Sequence, residues 1–370
     1  MQTSRDTGAP VHRHDATERV GVLLVNLGTP SAPTPQAVRA YLREFLSDPR
    51  VVEIPRAIWL PLLYGVILNV RPRKSARKYV SIWTAEGSPL LVNTARQASL
   101  LREHFAKTLA QPVEVAFGMR YGTPSIGSAI HTLLDANCGR VLIVPLYPQY
   151  AASTTATALD CVARVLRDVR NIPAVRFIKH FHDHRAYIGA VVDRIRQHWS
   201  AHGRPDKLVM SFHGLPRVTL ERGDPYHCEC HKTARLIAES LALDPSSWHI
   251  TFQSRFGRAR WLEPYTTAVL EDLGRAGTKR VDVVCPGFVA DCLETLEEIG
   301  IEGEAVFRKA GGGALQLIPC MNDSASWIHA LGEIVRENLA HWIDPAWNDA
   351  SARSHADATF TRATALGATQ

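Results

Sequence analysis

The chain has 370 residues, 46% hydrophobic and 21% charged, which are ordinary globular proportions; at about 150 residues per domain this length suggests two domains, each able to bury a core. A net charge of +6 without a dense Lys/Arg arm argues against a nucleic-acid partner and suits an acidic small molecule or an anionic membrane surface. Seven scattered cysteines, an odd count, exclude a secreted disulfide framework and point to a reducing, cytoplasmic compartment.

In chain order, residues 1–17 are polar, lack the apolar core of a signal peptide and are expected as a disordered tail. "VGVLLVNLG" reads as the first strand. "AIWLPLLYGVILNV" (Ala57 to Val70) is the longest apolar run, too short to span a bilayer and interrupted by Pro61 and Gly65. It reads either as a buried helix or loop, or as an apolar lip. In the second reading Trp59, Leu62, Leu63 and Tyr64 cover a cleft, receiving a large flat ligand or resting on a membrane. The "RPRK" that follows would neutralise ligand carboxylates or meet anionic lipid. "VEVAFGMR", "RVLIVPLY", "KLVMSFHG", "WHITFQSR" and "RVDVVCPGF" continue the strand pattern, with amphipathic helices between. Unbroken Val/Ile/Leu runs alternating with helices indicate parallel strands covered on both faces, a doubly wound α/β fold.

"LVMSFHGLPR" ends its strand on a turn at His213, whose ordinary reading is a strand-end histidine tied to a backbone carbonyl. In "YHCECHKTA" the Cys-x-Cys spacing of Cys228 and Cys230 is not a standard zinc pattern, and a metal there stays an alternative. "DCLETLEEIGIEGE" places Asp291, Glu294 and Glu298 on one helical face through i+3 and i+4 steps. That row is ordinarily a solvated face, yet like charges at this spacing suit a visiting divalent cation. "GGG" at 311–313 lacks the Walker lysine and the Rossmann spacing and reads as a turn. Residues 346–370 are expected as a second disordered tail.

The chain repeats itself. Phe-x-x-Arg-aromatic-Gly recurs at Phe117/Arg120/Tyr121/Gly122 and Phe252/Arg255/Phe256/Gly257. Strand-Pro-x-aromatic recurs at Pro145/Tyr147 and Pro286/Phe288, and "VLLVNLGTP" matches "LVMSFHGLP". Two similar Rossmann-like lobes with mainly parallel sheets, facing across a cleft, are therefore expected: 18–178 plus 325–345, carrying the lip, and 179–324. Ligands of open α/β sheets sit beyond the carboxyl ends of the strands. In this register His213 stands opposite Leu27 and Glu294 opposite Ser153. A requirement common to both lobes would repeat the residue type. The two unmatched ionisable groups, each expected at a strand end, are candidates for function, and imidazole with carboxylate suits a borderline metal such as Fe²⁺.

The motifs "LLVNLGTP", "FLSDPRVVEIPR", "EGSPL", "MRYGTPSI", "PLYPQYAASTT", "SFHGLP", "FQSRFGRARWLEPYT" and "VVCPGFVADCLETLEEI" resemble the ferrochelatase family from about Gly21 to Asn322 and through the C-terminal helix. The resemblance implies insertion of Fe²⁺ into protoporphyrin IX, with release of two protons, as the last step of haem synthesis. It places the family's essential histidine and glutamate, as catalytic and metal-binding residues, on His213 and Glu294. Asp291 and Glu298 would extend a proton or metal relay. Porphyrin contacts fall on Lys78, Tyr79, Ser88, Arg120 and Tyr121, and the apolar lip on Ala57 to Leu68. The chain departs from the family at Cys292, where many eukaryotic members have histidine, and at Leu27, where some place a tyrosine ligand. No Cys follows Cys320, so the vertebrate [2Fe–2S] cluster is not expected, and no resident cofactor is required.

The partners implied are protoporphyrin IX and ferrous iron, in a monomer or dimer, with peripheral contact at the inner face of the membrane as an option. Two alternatives stand beside this reading. One is a sister chelatase using coproporphyrin, Co²⁺ or Ni²⁺; the other is a two-lobed haem-binding protein without chemistry.

Overall fold

The computed structural model describes residues 14–257 and 259–368. The expected N-terminal tail therefore lies, for residues 1–13, outside the described residues. The first lobe runs β1 (Arg19–Gly28), α1 (Pro35–Leu46), α2 (Arg56–Leu62), α3 (Leu68–Ile82), α4 (Pro89–Thr108), β2 (Val113–Tyr121), α5 (Ile126–Asp135), β3 (Cys138–Pro145), α6 (Thr157–Arg167) and β4 (Ala174–Phe177). The second runs α7 (Arg185–His202), β5 (Lys207–His213), α8 (Arg217–Glu221), α9 (Tyr226–Ser240), β6 (Trp248–Gln253), α10 (Thr266–Arg275), β7 (Arg280–Val284), α11 (Leu293–Leu296), α12 (Glu304–Lys309) and β8 (Ala314–Leu317). Helices α13 (Ala325–Asn338) and α14 (Asp349–Ala365) follow.

The repeat is realised as two sheets of identical order, β2-β1-β3-β4 and β6-β5-β7-β8, with every strand pair parallel. The six long apolar runs are β1, β2 and β3 of the first sheet and β5, β6 and β7 of the second. Edge strands β4 and β8 have four residues each and are only half-buried, so no apolar run announced them. "GGG" is the turn into β8, with Gly311 at φ +100°.

The matched glycines do one job twice. A Cβ on Gly28 would lie 1.7 Å from the Tyr121 carbonyl, and one on Gly214 would lie 2.6 Å from that of Gln253. Each marks the point where the central strand turns away against its neighbour, so only glycine fits.

Helix starts follow local chemistry. Thr34 accepts from the Ala37 N–H (3.3 Å) with Pro35 in the first turn, and Ser125 accepts from the Ser128 N–H (3.1 Å). One apolar core spans both lobes, joining Val22 and Leu24 of β1 to Met210 and Phe212 of β5 through Tyr187 and Trp327. Helix α13 packs on α4 and α7, so it bridges the lobes rather than belonging to the first alone.

Residues 346–370, expected as a disordered tail, instead carry α14. Asn348 caps it by accepting from Ser351 N–H (3.0 Å), and an alanine-rich stretch without Gly or Pro propagates it. Its even mixture of small and polar residues left no apolar stripe to read. No helix among the described residues is long and apolar enough to cross a membrane.

Candidate active site

The site is built from the carboxyl end of β5, the turn after β6, and α11 with the π-helical turn Glu298–Gly303, facing α1 and α3 of the first lobe. His213 is the last residue of β5, half-buried, opposite Gln253 of β6. Its Nδ1 lies 2.6 Å from the Gly214 carbonyl. That carbonyl can only accept, so Nδ1 carries the proton and the neutral ring keeps its lone pair on Nε2. The tie expected of an ordinary strand-end histidine is present, and it orients the ring rather than occupying its basic nitrogen.

Gln253 joins the elements: its Oε1 accepts from Ser211 Oγ (2.7 Å) and its Nε2 donates to the backbone carbonyl of Glu294 (2.7 Å). Glu294 was expected at a strand end; it lies in the first turn of α11, reached from β7 by the loop 285–292. Its carboxylate is close enough to act electrostatically on Tyr41, Tyr79, Arg71, Cys292 and Glu298. Burial first, and Glu294 with it, pushes the phenols of Tyr41 and Tyr79 well above the ordinary tyrosine range, so both stay protonated. Arg71 is half-buried and its guanidinium lies 4.8 Å from the centroid of the Phe256 ring. Burial lowers its pKa, and the Glu294 charge works in the opposite sense.

Glu298 accepts from both the backbone N–H and Oγ of Ser254, each at 2.6 Å. Ser254 sits at φ +65°, a backbone that aims both donors at one carboxylate. Burial raises the Glu298 carboxyl above its usual range. The Ser254 hydrogen bonds and the nearby His213 draw it down, and Glu294 pushes it up again. Glu298 is thus the carboxylate that senses both His213 and Glu294.

Asp291 does not share that position. It precedes α11, is buried, and spends its oxygens on Thr295 Oγ1 (3.0 Å), the Cys320 N–H (3.2 Å) and Asn322 Nδ2 (2.6 Å). The single helical face expected for Asp291, Glu294 and Glu298 is broken because the helix starts only at Leu293 and passes into a π-turn at Glu298.

Of the expected porphyrin contacts, Lys78 and Tyr79 lie on α3 facing α11. Lys78 Nζ bridges the lobes to Glu297 (2.9 Å) and Glu302 (2.6 Å). Burial disfavours its charge, but the two carboxylates outweigh that and hold its pKa above the usual value. Ser88 is buried at the start of α4.

Arg120 and Tyr121 are buried within the first lobe. Arg120 is 8% exposed, paired with Asp48, and donates from Nε to Thr157 Oγ1 (2.7 Å); the Tyr121 hydroxyl donates to Asp48 (2.9 Å). Their polar atoms are committed inside the first lobe because a buried guanidinium demands a carboxylate, so they support the wall rather than offer a cation to a ligand.

The lip is likewise divided. Trp59 and Leu63 face inward, with Trp59 Nε1 donating to the Leu46 carbonyl (2.6 Å); Ile58, Leu62, Tyr64, Val66 and Val70 make the exposed surface. Cys228 is exposed and Cys230 buried, two steps apart on α9, so they offer no shared thiolate pair.

Tyr41, Arg71 individually, Gln253 and Ser254 were missed. The repeat block Phe252–Gly257 flagged the neighbourhood of the last two, and nothing local marks Tyr41.

The ferrochelatase family model matches residues 19–339. A ferrochelatase of Azoarcus sp. (strain BH72) is 59% identical over 364 residues, covering 98% of this chain and 99% of that protein. The ferrochelatase of Chromobacterium violaceum is 57% identical, covering 96% and 97%. Among solved structures, SirB from Bacillus subtilis with Fe³⁺ superposes with a TM-score of 0.52 at 15% identity over 88% of this chain and 97% of that one, a likeness of fold alone. The match to the family model and the near-complete relatives agree with the motifs and with the site between the lobes: this chain belongs to the ferrochelatase family.

Proposed function

We propose that His213 accepts the pyrrole protons as this chain inserts Fe²⁺ into protoporphyrin IX to form protohaem. The observation that carries the role is the Nδ1 tie to Gly214, which leaves Nε2 as the basic nitrogen of a ring that lies near Glu298. A free porphyrin holds two N–H hydrogens inside a rigid plane, so metal enters only as the ring bends and the protons leave. A cleft shaped for the bent ring supplies differential binding of the transition state. An imidazole whose second nitrogen keeps its lone pair can accept such a proton as a general base. Glu298 offsets the developing imidazolium charge, and Glu294, among protonated phenols and Arg71, continues the path or receives the metal. Asp291 acts as a positioning residue that holds the loop before α11. The metal is substrate in this scheme, and no resident cofactor takes part.

The porphyrin propionates would meet Arg71 and the basic residues of α3. The exposed apolar residues Ile58, Leu62, Val66 and Val70, beside exposed Arg73, Lys74 and Arg77, suit a peripheral contact with an anionic bilayer by a cytoplasmic enzyme.

The test compares His213→Ala and Glu294→Gln with wild type under anaerobic conditions. Porphyrin affinity is followed by fluorescence and insertion by the absorption spectrum. The expected loss in the insertion rate is about 10²-fold or more with porphyrin binding retained. Full-rate insertion by both variants overturns the assignment. Running Fe²⁺ against Co²⁺ and Ni²⁺, and protoporphyrin against coproporphyrin, in the same assay separates this reading from a sister chelatase.

A further inference from the structure

A second group of metal-ligand side chains lies on the loop after β4 and on α9. His180 Nδ1 is 2.6 Å from Glu229 Oε1, and His182 Nδ1 is 3.4 Å from Glu229 Oε2. One ligand atom from each of the three residues lies within 4.8 Å of the others. The imidazoles cross at 65°, so neither ring covers the other's nitrogen. No hydrogen bond or ion pair among the described residues joins these three to His213, Glu294 or Glu298.

The local sequence explains the arrangement. In His180-Phe181-His182 the alternation of an extended segment sends Phe181 into the core and both histidines to the other side. The loop is pinned by Phe181 N–H to the Pro148 carbonyl (3.0 Å) and by Thr233 Oγ1 donating to the His182 carbonyl (2.7 Å). Glu229 is buried in the first turn of α9, and its Oε2 also accepts from the Tyr150 N–H (2.7 Å), which fixes the carboxylate's orientation. Asp183 Oδ2 stands 3.9 Å from His182 Nε2, on the side from which a metal-bound histidine is ordinarily steadied.

One atom is left over. His182 is 6% exposed, and its Nδ1 has no hydrogen-bond partner although it points at Glu229. A buried polar nitrogen left unmade is costly, and a cation between the three groups would satisfy it. His180 is 38% exposed at its side chain, which leaves the ion a solvent path and room for water ligands.

We propose that His180, His182 and Glu229 bind a borderline divalent cation, such as Fe²⁺, Co²⁺ or Zn²⁺, at a site separate from His213. Two imidazoles and a carboxylate form a donor set suited to these ions and poorly matched to Mg²⁺ or Ca²⁺. The nearest competitor is the pair His227 and His231 on α9, one turn apart with their Nε2 atoms 3.1 Å from each other, which offers two ligands only.

The test silences the cleft with His213→Ala and Glu294→Gln and titrates Co²⁺ anaerobically, reading heat and visible absorption together. The double variant is expected to bind one Co²⁺ that is weakened at least about tenfold by adding either His180→Ala or Glu229→Gln, and is unaffected by His231→Ala. His180 is exposed, so its variant retains the wild-type far-UV circular dichroism. The proposal is overturned if the double variant binds no Co²⁺, if His180→Ala leaves Kd unchanged, or if the site disappears with His231→Ala instead.

Discussion

Asp48→Asn tests the reading of Arg120 as a structural cation. The carboxylate of Asp48 receives Arg120, Tyr121 (2.9 Å) and Thr157, and both members of the ion pair are at least nine-tenths buried, at 6% and 8% exposed. Removing one partner of such a pair strands the other charge, which costs about 3–5 kcal/mol. For a chain of this length each kcal/mol moves Tm by about 2 °C, so the expected drop is about 6–10 °C by circular dichroism. Burial by itself would raise the Asp48 carboxyl. Hydrogen bonds from Thr157, the Arg50 N–H and Tyr121, with the Arg120 charge, hold it below its ordinary 3.8. A depressed carboxyl stabilises the fold fully above its ordinary value and ceases to as pH falls through the folded one. The Tm gap between wild type and variant is therefore complete at pH 7 and closes on acidification below 3.8. The double variant Asp48→Leu/Arg120→Met removes both charges and should recover most of the loss. A drop under about 2 °C for Asp48→Asn at pH 7 refutes the reasoning. So does a double variant that is stable yet has lost its affinity for porphyrin.

The division of the lip predicts opposite behaviour for adjacent residues. Trp59→Ala, deleting a buried ring, should cost about 3–5 kcal/mol in urea unfolding. Ile58→Ser with Leu62→Ser should leave stability within about 0.5 kcal/mol while reducing sedimentation with anionic vesicles; undiminished sedimentation counts against membrane contact through this face. Lys78→Met leaves the buried Glu297, whose carboxyl burial already raises and Lys78 lowers, without its cation. A further rise in the Glu297 pKa, followed by carboxylate-resolved NMR, and a stability loss of about 1–3 kcal/mol are expected. An unmoved Glu297 titration would show that the bridge between the lobes does not form in solution.

Much of the architecture was legible in the chain. The inner strands β1, β3, β5 and β7, with β2 and β6 beside them, announce themselves as apolar runs, because a strand covered on both faces has little polar side to show. Edge strands β4 and β8 were silent for the converse reason, and α14 because a helix without an apolar stripe leaves no period. The departures of His213 and Glu294 from the internal symmetry marked the two residues around which the candidate site is drawn. The carboxylate row misled in part, since Asp291 reads as a helical neighbour of Glu294 only if the helix begins before it.

The sequence by itself determined the strand order's raw material, the duplication, the glycines at the ends of β1 and β5, and the two residues that break the symmetry. All of these are encoded locally, by periodicity or by comparison of one half with the other. Only the tertiary structure decided that Arg120 answers to Asp48, that Trp59 faces inward, and that Glu298 rather than Asp291 stands by His213. It also decided that His180 and His182 meet Glu229. Each of these is a pairing of polar or apolar groups distant along the chain, chosen by which surfaces the packed lobes exclude from water.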